Sequence, residues 1–177
     1  MTDREVGAVS VSPRAPHRRA AMIARIRTMR EADLGDVLAI ERASFSSPWT
    51  EAMFLAELRE NPFARFLVAI LDDAIIGYVG GWVIVDELHL LTLAVLPEYR
   101  RLGVARRLLE RLFESGDGRI AKAGLEVRRS NRAAIAVYER FGFRSVGVRR
   151  GYYADPPEDA VLMEWASAPT VRAGRPD

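Results

Sequence analysis

Tyr99-Arg100-Arg101-Leu102-Gly103-Val104-Ala105 is a basic segment centred on a glycine, and its residue types suit the holding of an anion. Before it lies the apolar run Leu90-Leu91-Thr92-Leu93-Ala94-Val95-Leu96, which reads as a buried strand stopped by Pro97. After it Val104, Ala105, Leu108, Leu109, Leu112 and Phe113 recur at helical spacing on one face. A strand, a tight loop and a helix N-terminus leave the first helical N–H groups unpaired, and the helix dipole favours negative charge there. Gly103 lets the backbone come close to a ligand, and the arginines add charge. Phosphate is the expected guest; the competing reading is a solvated start to a basic helix. The loop is no P-loop, because Gly-Lys-Ser/Thr is missing, and it lacks the three spaced glycines of a dinucleotide fingerprint.

Proton chemistry needs other residues. Glu126 alternates with Leu125 and Val127, so its carboxylate leaves the opposite face of a strand if those two face a core. It could serve there as a base, or simply pair with Arg128. Tyr138 has Ala134, Ile135 and Phe141 as helical neighbours, which suits packing, and its phenol is protonated at neutral pH. Asn131 suits a helix cap. Trp49, Tyr152 and Tyr153 fall in expected loops, where aromatics serve as lids or as ligand contacts. Glu41 and Asp155 could meet a basic group of a ligand, but surface solvation is the stronger reading for both.

Composition narrows the options. The chain has 177 residues, 49% of them hydrophobic, enough for one domain with a core. It contains no cysteine, which removes disulfides, thiolate metal sites and a covalent cysteine intermediate, and agrees with a cytoplasmic location. His17 and His89 are the two histidines, which argues against a Ser-His-Asp triad and against a metal site. The formal charge of +2 gives no argument for nucleic acid, and no apolar run suits a membrane span.

These residues need a scaffold. Residues 1–23 are rich in Arg, Ser, Pro and Ala and read as a disordered extension, with Met22 as an alternative start. The domain is expected over residues 24–168, followed by a frayed tail over 169–177. Its elements read as a strand near Ile23–Arg27, a helix over Asp33–Phe45 and a second helix from Thr50 to Leu58. A hairpin over residues 66–85 turns at Asp72-Asp73. The strand at 88–96 and the helix at 103–114 follow. Next come a short strand at Leu125–Val127, a helix over Asn131–Phe141 and strands at Arg144–Arg149 and Ala160–Trp165. The class is mixed α/β with a single sheet.

Arg100-x-x-Gly103-x-Ala105, placed after Leu93-Ala94-Val95, resembles the pyrophosphate loop of the GCN5-related N-acetyltransferases (GNAT), which use acetyl-coenzyme A. Arg100 stands where glutamine is frequent and Ala105 where glycine is. Three further segments resemble the RimI-type branch, which acetylates the N-terminal alanine of a small-subunit ribosomal protein. They are Ile40-Glu41-x-x-x-Phe45-x-x-Pro48-Trp49-Thr50, Leu125-Glu126-Val127-Arg128-x-Ser130-Asn131-x-x-Ala134-Ile135-x-x-Tyr138-x-x-x-Gly142-Phe143, and Arg149-Arg150-x-Tyr152-Tyr153 followed by Glu158-Asp159-Ala160.

The resemblance implies a mostly antiparallel sheet, splayed at the coenzyme and flanked by helices. It implies Glu126 as general base and Tyr138 as proton donor to the leaving thiolate. Leu93, Ala94, Val95, Arg100, Arg101, Leu102, Gly103, Val104, Ala105 and Asn131 would contact acetyl-coenzyme A. Trp49, Tyr152 and Tyr153 would flank a peptide N-terminus, with a ribosomal protein as the implied partner and direct attack in a ternary complex as the mechanism. Two alternatives stay open: a small-amine acetyltransferase acting on a polyamine or aminoglycoside, and a non-enzymatic acyl-coenzyme A sensor.

Overall fold

The computed structural model describes residues 24–167. The expected N-terminal extension and C-terminal tail lie outside the described residues. Seven strands form one sheet in the order β1-β2-β3-β4-β5-β7-β6. In chain order the elements are β1 (Arg25–Thr28), α1 (Leu34–Ser44), α2 (Glu51–Glu60), β2 (Ala64–Leu71), β3 (Ala74–Ile84) and β4 (Glu87–Val95). They continue with α3 (Val104–Glu114), β5 (Lys122–Arg128), α4 (Arg132–Phe141), β6 (Arg144–Ala154) and β7 (Pro157–Ala166). Only β4 and β5 pair in parallel; the other neighbours are antiparallel. The expected class and element order are therefore observed.

Local chemistry explains most boundaries. Asp72 and Asp73 both adopt positive φ at the β2–β3 turn, where short polar side chains tolerate the left-handed region. Thr50 caps α2 by accepting from the Met53 N–H at 3.3 Å. Helix α4 ends at Gly142, whose φ is +114°. Helix α1 starts one residue later than expected, because Asp33 accepts from Arg27 at 2.6 and 2.8 Å and from the Arg30 N–H at 2.7 Å.

The sheet has a core on each side. On one side α3 and α4 pack Val104, Leu108, Leu109, Leu112, Ile135 and Tyr138 against Ala123, Leu125, Val127 and Met163. On the other, Leu34, Val37, Ile40 and Phe54 of α1 and α2 pack against Phe66, Val68, Tyr78 and Ala94. Strand β3 is covered on both faces and buried without a break from Ile75 to Gly81.

Gly80 makes that sandwich possible. A Cβ there would lie 2.1 Å from Cε1 of Phe66, so the ring occupies the space above the glycine. Gly80→Ala is expected to destabilise the domain by about 1–3 kcal/mol through overpacking, with Phe66, Phe54 and Trp49 forced apart. A thermal melt unchanged from wild type would refute that reading.

Strand β6 departs from the sequence expectation. It runs to Ala154 instead of ending at Arg149, and β7 begins at Pro157 instead of Ala160. Tyr152 and Tyr153 therefore belong to a strand, not a loop. Arg149-Arg150-Gly151 interrupts the alternation, and the ladder shifts register between Arg149 and Tyr153 before resuming as Tyr153↔Glu158 and Ala154↔Pro157. Pairing with β7 holds this end extended where local pattern reads as loop. Pro157 is tolerated as the first residue of its strand.

Candidate active site

The sheet opens between its two central strands. Pairing of β4 with β5 runs only from Glu87↔Lys122 to His89↔Gly124. Both strands continue beyond it, to Val95 and Arg128, so the edges that face each other lack a strand partner. A bulge marks the divergence. Gly80 pairs with Thr92 and Gly81 with Leu90, which leaves Leu91 as the extra residue. Before it Leu88 and Leu90 join the core under α3 and α4; after it Leu93 and Val95 do. Leu91 and Ala94 join the other core. The expected contact strand, Leu93 to Val95, is thus the free edge of the gap.

Helix α3 begins at the mouth of this gap. Gly103 is its N-cap with φ +89°, a conformation that favours glycine, and a Cβ there would touch nothing within 4 Å. The first turn is anchored by the Arg107 N–H donating to the Gly103 carbonyl at 3.1 Å, so the preceding amides point out of the helix end. Leu102 and Val104 pack into the core, which leaves them backbone groups for any ligand. Ala105 is half-buried. Arg101 takes a positive φ of 61°. Arg100 donates from Nε to the Val95 carbonyl at 2.9 Å and so ties the loop to the end of β4.

Glu126 and Tyr138 lie on opposite sides of the sheet. Leu125 and Val127 are 4% and 6% exposed within the α3/α4 core, so Glu126 leaves from the other face, half-buried. Among the described residues it has no ion pair. Tyr138 sits in the α3/α4 core, with its ring centroid 5.8 Å from that of Phe143. Burial, with Tyr153 nearby, holds its phenol well above the usual tyrosine range. Tyr153 reaches towards both residues. Its hydroxyl donates to the Glu126 carbonyl at 3.4 Å, and its pKa is pushed up to about 12, mainly by burial. Asn131 caps α4 as expected, its Oδ1 accepting from the Ala134 N–H at 3.1 Å.

The α1–α2 turn and the β6–β7 turn meet above Glu126. Ser47 donates to the Asp155 carbonyl at 3.1 Å, and Ser46 does so at 3.4 Å. Arg128, not singled out as a site residue in the sequence, donates to Asp155, Pro156, Glu158 and Ser46. Trp49 packs its ring on Phe54 and Phe66, at centroid distances of 5.2 and 6.1 Å, and acts as a half-buried lid on the core. Tyr152 is 43% exposed and stacks edge-on against Tyr153.

Glu41 overturns its sequence reading. It is 2% exposed, not solvated. Oε1 accepts from the Trp49 N–H at 2.8 Å, Oε2 accepts from the Tyr78 hydroxyl, and Tyr78 meets Thr92 Oγ1 at 3.1 Å. Loss of solvation raises its pKa to about 7, against the opposing pull of the Trp49 N–H. The signal was in the helical period: Leu34, Val37 and Glu41 share one face. The chain of bonds connects the α1–α2 turn, through β3, to the residue beside the β4 bulge. Neither Tyr78 nor Thr92 stands out in the sequence, since both read as strand interior.

Comparison with known proteins agrees with this geometry. The model of the acetyltransferase (GNAT) family matches residues 34–143. The chain is 40% identical over 141 residues to the provisionally named [ribosomal protein bS18]-alanine N-acetyltransferase of Bacillus subtilis (strain 168), covering 79% of this chain and 93% of that protein. It is 38% identical over 152 residues to an N-alpha-acetyltransferase of Saccharolobus solfataricus, covering 78% and 90%. In structure it resembles the ribosomal-protein-S18-alanine N-acetyltransferase from Escherichia coli with a TM-score of 0.76 and 31% identity, over 86% of this chain and 99% of that one. With the splayed β4–β5 gap, the glycine-capped helix beside it and a family match across both, the chain belongs to the acetyltransferase (GNAT) family.

Proposed function

We propose that this protein transfers the acetyl group of acetyl-coenzyme A directly to the α-amine of a protein N-terminus, with an N-terminal alanine of a small-subunit ribosomal protein as the favoured acceptor. One observation carries the reading: Glu126, without an ion pair among the described residues, stands on the stretch of β5 that has no β4 partner, and the Tyr138 phenol is buried on the other side of the sheet. A thioester reaching into the β4–β5 gap from the α3 side meets both.

The residues present fit that ligand. Amides at the start of α3 and the charge of Arg100 and Arg101 suit a pyrophosphate. The unpaired edge at Leu93–Val95 offers backbone groups to an amide-bearing arm, and one N–H there can stabilise charge developing on the thioester oxygen. The Nδ2 of Asn131 remains for the coenzyme, since capping uses Oδ1.

Glu126 takes the proton from the incoming ammonium, directly or through one water. The free amine attacks the thioester carbonyl carbon, and the carbon–sulfur bond breaks as the tetrahedral adduct collapses. Tyr138 donates its proton to the departing thiolate and regains one from solvent, while the second nitrogen proton of the adduct passes to water as the amide forms. With no cysteine in the chain, no cysteine acyl-enzyme forms, which fits direct attack with both substrates bound together. The acceptor enters between the turn that holds Ser46, Ser47 and Trp49 and the hairpin end that carries Tyr152 and Tyr153. The similarity to two proteins named as ribosomal-protein-alanine N-acetyltransferases, and to a third named as an N-alpha-acetyltransferase, supports this acceptor class.

The test is turnover with acetyl-coenzyme A on peptides with free N-termini, Ala-Arg starts included, beside spermidine and an aminoglycoside. Thiol release gives the rate, and mass spectrometry locates the acetyl group. Acetylation of the alanine α-amine is the expected result. Turnover confined to small amines would overturn the acceptor; coenzyme binding without turnover on any of them would overturn the enzymatic reading.

A further inference from the structure

We infer that Arg128 is a positioning residue that latches the two walls of the acceptor groove to each other. The inference rests on the acceptor reading above. Arg128 and Glu126 stand two residues apart on the same face of β5, opposite in charge, and simple proximity predicts that they pair. They do not.

The guanidinium is drawn the other way by oxygen atoms from two separate turns. Nη1 donates to the Pro156 carbonyl at 3.0 Å and to Glu158 Oε2 at 3.4 Å. Nη2 donates to the Asp155 carbonyl at 2.7 Å and to Ser46 Oγ at 3.4 Å. Its Cζ lies 4.1 Å from the centroid of the Tyr153 ring, a cation–π contact that fixes a third direction. Glu158 is itself anchored. Its Oε1 accepts from the Ser130 N–H at 2.5 Å and its Oε2 from the Ser130 hydroxyl at 3.0 Å, and these bonds, with Arg128, hold its pKa below the usual range. The countercharge to Arg128 is therefore fixed on the side away from Glu126.

The arrangement does two things. The α1–α2 turn and the β6–β7 turn have few bonds to each other besides those of Ser46 and Ser47 to Asp155. Arg128 reaches both from the strand that carries Glu126, so groove width and base position share one reference point. It also leaves the Glu126 carboxylate without a cation partner. Only a guanidinium fits these acceptors, because its planar fork places donors towards several oxygens at once, whereas an ammonium is a point charge.

Arg128→Met is expected to raise the peptide KM about 10-fold or more, because the walls lose their common anchor, with the acetyl-coenzyme A KM and a small-amine rate changed by no more than about 3-fold. Arg128→Lys should not restore the peptide KM. Ser46→Ala with Ser47→Ala removes two exposed hydroxyls without touching a core and should raise the peptide KM about 3-fold. It decides the matter if Arg128→Met fails to fold: an unmoved peptide KM in the serine variant overturns the latch. So does a peptide KM within about 2-fold of wild type in folded Arg128→Met, or full rescue by lysine. A wild-type protein that acetylates no peptide overturns the acceptor reading and the latch with it, whereas peptide turnover that ignores Arg128 overturns the latch alone.

Discussion

Glu126→Gln is expected to lower kcat on an N-terminal peptide about 10²-fold while leaving acetyl-coenzyme A binding unchanged, since a positioned proton acceptor contributes 10²–10⁴-fold. Glutamine keeps the length and polarity of the side chain on the acceptor face, so β5 and its neighbours should not move. Tyr138→Phe should lower kcat about 10-fold or more by the same reasoning applied to proton donation. Phenylalanine preserves the packing on Phe143 and in the α3/α4 core, so the fold should survive. Burial holds the Tyr138 phenol protonated across the whole working range, so the wild-type rate should show no basic limb from this residue. The acceptor amine, with an ordinary pKa of about 7.7–8.0, should make the rate rise towards pH 8. A double variant that turns over like wild type would end the assignment of both residues.

Glu41→Gln is expected to flatten the pH dependence of stability. The folded-state pKa of Glu41 is about 7, above the ordinary value of 4.5, so the native state holds this proton more tightly than the unfolded chain does. Its contribution is therefore fully present below about pH 4.5 and is lost as pH rises through about 7. At about 1.4 kcal/mol per unit, the loss reaches at most about 3 kcal/mol above neutrality. Glutamine cannot ionise, yet its amide oxygen can accept from the Trp49 N–H and its NH₂ can donate to Tyr78, which can then donate to Thr92. The variant should match wild type near pH 5 and exceed it by several degrees in Tm at pH 8–9. Parallel pH curves for the two proteins would refute the argument. Glu41→Leu should instead be destabilising at every pH, because it strips the Trp49 N–H of its acceptor and leaves the buried Tyr78 hydroxyl with Thr92 as its remaining partner.

The two predictions concern opposite ends of one arrangement. Among the described residues Glu126 has no cation partner, Arg128 being bonded elsewhere; Glu41 is buried and links the α1–α2 turn, through Tyr78, to Thr92 beside the β4 bulge. Both carboxylates owe their state to residues distant in the chain.

Much of the molecule was written in local pattern. Helix α3 follows from its apolar spacing, the β2–β3 turn from two aspartates, the start of α2 from Thr50 and the side of β5 that carries Glu126 from alternation with Leu125 and Val127. These depend on neighbours a few residues away, and period and turn chemistry report such neighbours directly. What only the tertiary structure decided lies where distant segments compete. The bulge at Leu91 depends on Gly80 and Gly81 across the ladder, and the length of β6 on pairing with β7 through a stretch that reads as loop. Arg128 lies nearer in sequence to Glu126 than to Glu158, 30 residues away, yet bonds the latter because the hairpin end brings two backbone carbonyls, and the α1–α2 turn the Ser46 hydroxyl, to the same place. Hydrogen-bond partners and burial are set by what folding brings within about 3 Å, a distance that sequence separation does not encode.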